Sequence, residues 1–376
     1  MRILILNRGS SSLKCSLYDL ESFPSSFIPP LWEAHSEKLS FADQAKTLER
    51  LLHSCPESHK IDGIGHRIVH GGKFYTEMVF IDETVKKNIR FLADLAPLHN
   101  LADLEGIEIL EKLFKGVPQM ALFDTAFHHT LPESVAVYPG PYAWVEAGIR
   151  RYGFHGTSFQ YCSRRASEIL AKDLHSMKMV ICHLGSGASL CAIKEGKSID
   201  TTMGLTPLEG LMMDTRSGSV DPGILLYLLS KKGYSADELS KELYEKSGLL
   251  GLSGLSGDMR DILEKASNGN TRAKLAFDVY IHRLNSCIGS MLASLEGMDT
   301  LVFTAGIGEN APLVRKRICK SLLFLGLRLD ENKNEKAHDK DCILSAPDSK
   351  VKILLIHTQE AFEIARECWK KLSRAR

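Results

Sequence analysis

Apolar residues in this chain fall into short runs and amphipathic stretches that alternate along its length. Residues 2–6 form a β-rich run that breaks at NRGSSS. Residues 13–18 resume it, with Leu13, Cys15 and Leu17 on one face and Lys14 and Ser16 on the other. Two strands joined by a Gly/Ser turn predict a hairpin. The design returns about halfway down: 179–184 is largely apolar, GSGAS follows, and 190–193 resumes the strand. GSSSL at 9–13 and GSGASL at 185–190 match with one residue of slip. That similarity predicts an internal duplication, two related halves with a cleft between them. Helices are expected over 82–94, 102–114, 160–170, 224–229, 236–246, 271–295 and 313–324, and strands over 120–123, 300–304 and 351–356. A last helix, capped by Thr358, repeats Ala361, Phe362, Ala365, Trp369 and Leu372 and ends in basic residues, as a helix dipole favours. Residues 330–340 are polar and predict a solvated surface segment. Strands alternating with helices give an α/β class.

One stretch breaks the pattern. Residues 201–223, TTMGLTPLEGLMMDTRSGSVDPG, show neither alternation nor a helical face, and glycines and prolines cut them up. A linker would be polar, whereas this stretch carries Met203, Leu205, Leu208, Leu211, Met212 and Met213, so it is expected to be a loop anchored to the body. Near its end Arg216 sits among small residues, a setting suited to gripping an anion.

Composition narrows the function classes. The chain has 376 residues and a formal net charge of +1, which gives no global electrostatic case for nucleic acid or an anionic membrane. Nine cysteines are scattered with no C-x-x-C pair, which reads as reduced thiols in a cytoplasmic protein. No apolar run is long enough to span a bilayer.

Two glycine-rich turns follow strands, at 7–12 and 185–189, and a third at 306–310 leads into a helix. Such turns either serve a positive φ or expose backbone N–H groups to phosphate oxygens; three in one chain favour the second use. GKS at 196–198 lacks the upstream glycine of a P-loop, and GSGASL has Leu190 where the dinucleotide fingerprint needs glycine. Lys14 is either an exposed strand lysine or, beside Asn7, Ser10 and Ser12, a phosphate neutraliser. HRIVH at 66–70 has the spacing of a helical metal pair, but Ile68 and Val69 argue for a strand instead. Gly71 and Gly72 place Arg67 near a strand end. Asp124 follows a strand directly, as catalytic groups in α/β folds do, or it caps the next helix. His128 and His129 read as helix-start or surface residues. His155 lies beside Gly156, which permits close ligand approach, and Glu360 either complements a helix dipole or holds a cation through water. Two arginines, an aspartate, a glutamate, a histidine and three phosphate nests suit phosphoryl transfer around Mg²⁺.

The ordered motifs NRGSSSLK (7–14), HRIVHGG (66–72), APLHN (96–100), FDTAFHHTLP (123–132), RRYGFHGTS (150–158), HLGSGAS (183–189), DTTMGLTPLEGLMMDTRSG (200–218), SGDMRD (256–261) and FTAGIGEN (303–310) resemble the short-chain acyl kinases, acetate kinase among them. The resemblance implies an actin-like, sugar-kinase-like fold of two duplicated domains, 1–130 with 361–376 and 131–360. It implies reversible phosphoryl transfer between ATP and acetate, giving acetyl phosphate and ADP, in a cytoplasmic homodimer. Arg67 and Arg216 would bracket the acetate and the moving phosphoryl group, His155 would donate to that group, and Asp124 would organise the arginines. Asn7 and Glu360 would hold Mg²⁺, with Mn²⁺ as an alternative. Lys14, Ser10, Ser12 and the His183, Gly185, Ser186, Gly187 loop would meet phosphates. Asp258, Met259, Arg260, Gly306, Ile307, Gly308 and Asn310 would form the adenosine site. Val69, Leu98, Phe154 and Pro207 would hold the methyl group. Departures from the family pattern are Arg8 after Asn7, Ser186 for asparagine, Phe159 for histidine, Ser219 for aspartate, Asp214 for glycine, and Ala361 for an acidic residue. They bear on donor preference and turnover more than on reaction class.

Overall fold

The computed structural model describes residues 1–9, 12–37, 44–56 and 60–375, apart from the side chains at 37, 44, 45, 97 and 98. The chain divides into two compact units: Met1–His129 with Phe154–Tyr161 and Gln359–Arg376, and Thr130–Gly153 with Cys162–Thr358.

Each unit holds one mixed six-stranded sheet. The first contains β1 (Arg2–Arg8), β2 (Ser12–Asp19), β3 (Trp32–Glu37), β4 (Gly63–Ile68), β5 (Val79–Phe80) and β6 (Gln119–Phe123), in the order β3-β2-β1-β4-β6-β5. The second contains β7 (Lys178–Leu184), β8 (Ala188–Lys194), β9 (Lys197–Thr201), β10 (Thr300–Thr304), β11 (Cys342–Ile343) and β12 (Lys352–Leu355), in the order β9-β8-β7-β10-β12-β11. Adding six to each strand number of the first sheet gives the second. In both, an antiparallel meander feeds two parallel strands, and a short antiparallel strand closes the edge. The duplication expected from the two hairpins is therefore carried by the whole topology. The central strands β6 and β10 are buried at every residue, as strands covered on both faces must be.

The last helix, Glu360–Ala375, packs on β1 and β4. It approaches closely because β4 presents glycines: a Cβ at Gly65 would sit 2.5 Å from the Cys368 sulfur and 2.9 Å from Ile364. This packing brings Glu360, at the start of the helix, beside the end of β1.

Residues 201–223 form the anchored loop expected of them. Met203, Leu211, Met212 and Met213 are buried, and no helix or strand intervenes between β9 and the helix Pro222–Lys231. Three expectations are corrected. Residues 306–310 are not a turn leading into a helix but belong to a short helix, Ala305–Asn310, entered through Ala305 at φ 64°. The helix expected over 160–170 runs Gly156–Leu170, with GTS at 156–158 as its first turn. Within 330–340 lies the helix Glu331–Lys336, whose Asn334 is fully buried because it accepts from Arg315 Nε at 2.7 Å and donates to the Pro312 carbonyl at 3.0 Å. Among the described residues no helix is long and apolar enough to cross a membrane.

Candidate active site

Parallel neighbours β1, β4 and β6 end along one edge of the first sheet, where α/β folds place their chemistry. Asn7, Arg67 and Asp124 lie at those ends. Arg67 grips Asp124 as a fork: Nε donates to Oδ1 at 3.0 Å and Nη2 to Oδ2 at 2.5 Å. Its Nη1 donates to the Arg8 carbonyl at 2.9 Å. Asn7 Nδ2 donates to Glu360 Oε2 at 3.0 Å, and that oxygen lies 3.9 Å from Arg67 Nε. Asp124 is therefore not a helix cap but the carboxylate that fixes Arg67. Thr157 adds a hydroxyl donor to Oδ1 at 3.3 Å, a partner the sequence did not reveal.

Burial pushes the Asp124 carboxyl up, and the Arg67 guanidinium works against that push. Burial acts on Arg67 as well, but the Asp124 and Glu360 carboxylates outweigh it and hold the guanidinium more firmly protonated than a free arginine.

His155 adopts φ 58°, a left-handed conformation uncommon for a residue with a side chain. The following glycine is obligatory: Gly156 N donates to the Asp124 carbonyl at 3.0 Å, and a Cβ there would fall 2.1 Å from that oxygen. Backbone strain held by a close contact is frequent at functional sites. Beside it, His128 lies in the short 3-10 helix Ala126–Thr130, but it is buried and its Nε2 pairs with the Phe154 carbonyl at 2.9 Å, so it is not a surface residue. Phe154 and Val69 are buried, and Phe154 meets the His70 ring edge-on at 5.3 Å.

The HRIVH pair does structural work. His66 Nε2 pairs with Gln119 Oε1 at 2.5 Å, and burial lowers its pKa to about 4. His70 Nδ1 accepts from Gly72 N at 3.0 Å, which shapes the turn after β4. Lys14 pairs with Glu33 at 2.9 Å. Ser10 lies outside the described residues, and so does the side chain of Leu98.

Arg8 is buried, which lowers its pKa, and the neighbouring carboxylates of Asp103 and Glu105 act in the other direction. Asp103, another residue the sequence did not single out, accepts from Val69 N at 3.2 Å. Burial pushes its carboxyl from 3.8 up to about 7. The folded chain thus keeps a proton that the unfolded chain loses, so stability falls as pH rises between those two values. Asp103→Asn keeps the acceptor and removes the charge. It is expected to flatten that fall. Melting curves of both proteins from pH ~5 to ~8 check this; parallel pH profiles would contradict it.

In the second unit, β7 and β8 are joined by the HLGSGAS turn, where Gly185 N donates to the Gly187 carbonyl at 3.1 Å. His183 is a buried residue of β7, and Ser186 is exposed at the tip. The Asp214 amide reaches the Ser186 carbonyl at 3.4 Å. Arg216 is half-buried, and its Nη1 donates to the Pro207 carbonyl at 3.2 Å. Burial lowers its pKa, and the Asp214 and Tyr244 side chains act in the other direction. Among the described residues no carboxylate lies within ion-pair range of Arg216, so its charge is poorly matched inside the protein. Asp258 caps the helix Met259–Ser267 through Arg260 N at 2.8 Å, and the exposed Arg260 side chain folds onto the same carboxylate. Asn310 Nδ2 donates to the Gly306 carbonyl at 2.9 Å. Ser219 Oγ accepts from Gly210 N at 3.0 Å. Phe159 and Ala361 are buried, so these departures are absorbed by packing.

The acetokinase family profile matches residues 2–366. The chain belongs to the acetokinase family. Among acetokinase relatives, a Microcystis aeruginosa protein named acetate kinase is 52% identical, with 98% of this chain and 99% of that one aligned. A Nostoc punctiforme acetate kinase is 49% identical over 99% of this chain and all of its own. The crystal structure of Porphyromonas gingivalis acetate kinase matches with a TM-score of 0.89 at 38% identity over 99% of each chain. That of a propionate kinase from Francisella tularensis matches with a TM-score of 0.86 at 38% identity, covering 97% of this chain and 98% of the other. A putative N-acetylmannosamine kinase from Listeria monocytogenes shares the fold at a TM-score of 0.51 and 12% identity. The duplicated α/β architecture of this acetokinase is thus the actin-like, sugar-kinase-like one.

Proposed function

We propose that this acetokinase is a phosphotransferase that moves a phosphoryl group reversibly between ATP and acetate, giving acetyl phosphate and ADP. The observation that supports this most is the Asn7–Arg67–Asp124–Glu360 cluster at one sheet edge, in a chain aligned end to end with proteins named acetate kinase. A carboxylate oxygen of acetate attacks the γ-phosphorus while the bond to the ADP oxygen breaks. Both reactants are anions, so the protein's task is to position them and neutralise charge. Arg67, held in a fixed plane by Asp124, presents its charge without reorganising. Arg216, whose charge is poorly matched inside the protein, supplies the second guanidinium. His155 donates to the equatorial oxygens as they gain charge. Val69 and Phe154 take the methyl group. Lys14, Ser12 and the His183–Ser189 turn meet the phosphates, and Asp258, Met259, Arg260 and Gly306–Asn310 take the adenosine.

The donors of Asn7 and Glu360 suit Mg²⁺, or Mn²⁺ in its place. They are hard oxygen ligands too few to cage an ion, and among the described residues no cluster of three His, Cys, Asp or Glu could hold one. Asn7 and Glu360 would hold such a cation, which would supply neutralisation of phosphate charge.

A second reading, a propionate-using enzyme, is favoured by the Francisella tularensis propionate kinase, which is as identical in sequence to this chain as the Porphyromonas gingivalis acetate kinase. One methylene changes affinity by about 1–3 kcal/mol, so the acid is decided by kinetics. Comparing kcat/KM for acetate, propionate and butyrate is expected to rank acetate first; a clear propionate preference would replace acetate as the substrate.

A homodimer is the expected assembly. The helix Pro222–Lys231 buries none of its residues and exposes Ile224, Leu226, Tyr227 and Leu229, apolar surface of the kind that marks an interface. Light scattering should give twice the 41.8 kDa chain mass; the mass of a single chain would contradict it.

A further inference from the structure

The loop carrying Arg216 has a second fastening, far from it in sequence. Glu209 lies within the loop. Its Oε1 accepts from Arg151 Nη2 at 2.8 Å, and its Oε2 accepts a short hydrogen bond from the Tyr138 hydroxyl. Arg151 does more than pair with it. Its Nη1 is shared among the carbonyls of Thr201, Thr202 and Met203 at 2.9, 3.1 and 3.2 Å. The same guanidinium lies 5.6 Å from the Tyr138 ring centroid. Tyr138 Oη also accepts from Leu205 N at 3.0 Å, and Tyr152 N donates to the Gly204 carbonyl at 3.0 Å. The knot closes so tightly over Gly204 that a Cβ there would fall 2.0 Å from the Tyr138 oxygen and closer still to Glu209. The side-chain contacts of Tyr138 and Arg151 given above are therefore aimed at residues 201–209, and Pro207, whose carbonyl receives Arg216 Nη1, lies inside that span.

We propose that Tyr138, Arg151 and Glu209 are positioning residues for Arg216, clamping the first half of its loop so that the guanidinium is set before any substrate binds. Neither arginine nor carboxylate in this knot touches the reacting atoms; they act through the loop. Fixing a charged group in advance matters for phosphoryl transfer, because displacing such a group by about 1 Å can cost about 10²-fold in rate. Burial, then the Glu209 carboxylate, raise the Tyr138 pKa, so its hydroxyl stays a donor throughout the neutral range. The inference rests on the acetate kinase reading only for its kinetic arm.

The test uses the full chain and two readouts. Glu209→Ala should raise amide hydrogen exchange across 201–218 in the protein without substrates, while Glu209→Gln, which keeps an oxygen for Arg151, should stay close to the parent. In turnover, Glu209→Ala should lower kcat about 30-fold while the KM for ATP changes less than about threefold, and Glu209→Gln should recover most of the loss. In an Arg216→Ala background, adding Glu209→Ala should lower the residual rate by less than about threefold, because the knot acts through the missing side chain. Unchanged exchange in Glu209→Ala, or a Glu209 effect that persists in full without Arg216, would overturn the inference. An inactive parent protein would sink the kinase reading instead and leave the exchange comparison to decide this one.

Discussion

Replacing Arg67 with alanine is expected to remove activity and stability together. Arg67 and Asp124 are a buried pair, with Asp124 only 1% exposed. Losing the arginine leaves a carboxylate in a dry site with a threonine hydroxyl for company, and breaking such a pair costs about 3–5 kcal/mol. Acetyl phosphate formation should fall by on the order of 10³-fold or more, the scale of arginine effects in phosphoryl transfer. The two losses can be separated. With its counter-charge gone, Asp124 is pushed further up by burial and binds a proton more readily when folded. The variant should therefore regain stability as pH falls through the acid range. Asp124→Asn added to Arg67→Ala should recover part of the stability at neutral pH and none of the turnover. Denaturant unfolding of the three proteins, read beside their rates, checks this. A stable and active Arg67→Ala protein would show that the pair is a surface ornament.

Arg216→Ala is expected to behave differently, and the contrast is informative. Among the described residues its guanidinium hydrogen-bonds a backbone carbonyl, that of Pro207. Truncation should change the unfolding free energy by less than about 1 kcal/mol. Transition-state binding should drop by about 3–4 kcal/mol, the loss of a charge-assisted anion contact, which lowers kcat/KM roughly 10²–10³-fold. Near-parental turnover in this variant would remove Arg216 from the mechanism. Equal losses of stability in the two arginine variants would mean that the second guanidinium is structural as well.

The features most legible in the sequence were those that depend on neighbours in the chain. Both glycine-serine hairpins were visible because alternation and turn residues lie within a dozen positions, and they exposed the duplication that strand order confirms. The anchored loop was visible because Met203, Leu211, Met212 and Met213 are too apolar for a linker. What pattern reading missed depends on partners distant in sequence. Asn334 looks like surface until Arg315 is brought to it, and the same guanidinium holds the carbonyls of Gly308 and Glu309 at 2.9 and 2.8 Å, which stabilises a helix through two glycines. His128 looks exposed until the Phe154 carbonyl reaches its ring. Thr157 falls outside the helix expected over 160–170, although it lies in that helix's first turn and donates to Asp124. Arg151 and Glu209 stand 58 residues apart, and Tyr138 and Glu209 stand 71 apart, so no local pattern could join them. For the site itself, residue types and strand ends suggested Arg67, Asp124 and Glu360. Only the folded chain shows that Arg67 and Asp124 form a fork and that Glu360 meets Asn7.

The most direct measurement is a hydroxylamine-trapping assay on the purified protein, with ATP, Mg²⁺ and acetate, and with pyrophosphate in place of ATP alongside. Acetyl hydroxamate should accumulate with ATP, require the metal, and be absent with pyrophosphate. A folded protein that binds ATP yet yields no hydroxamate from acetate, propionate or butyrate would contradict phosphoryl transfer to a carboxylate altogether.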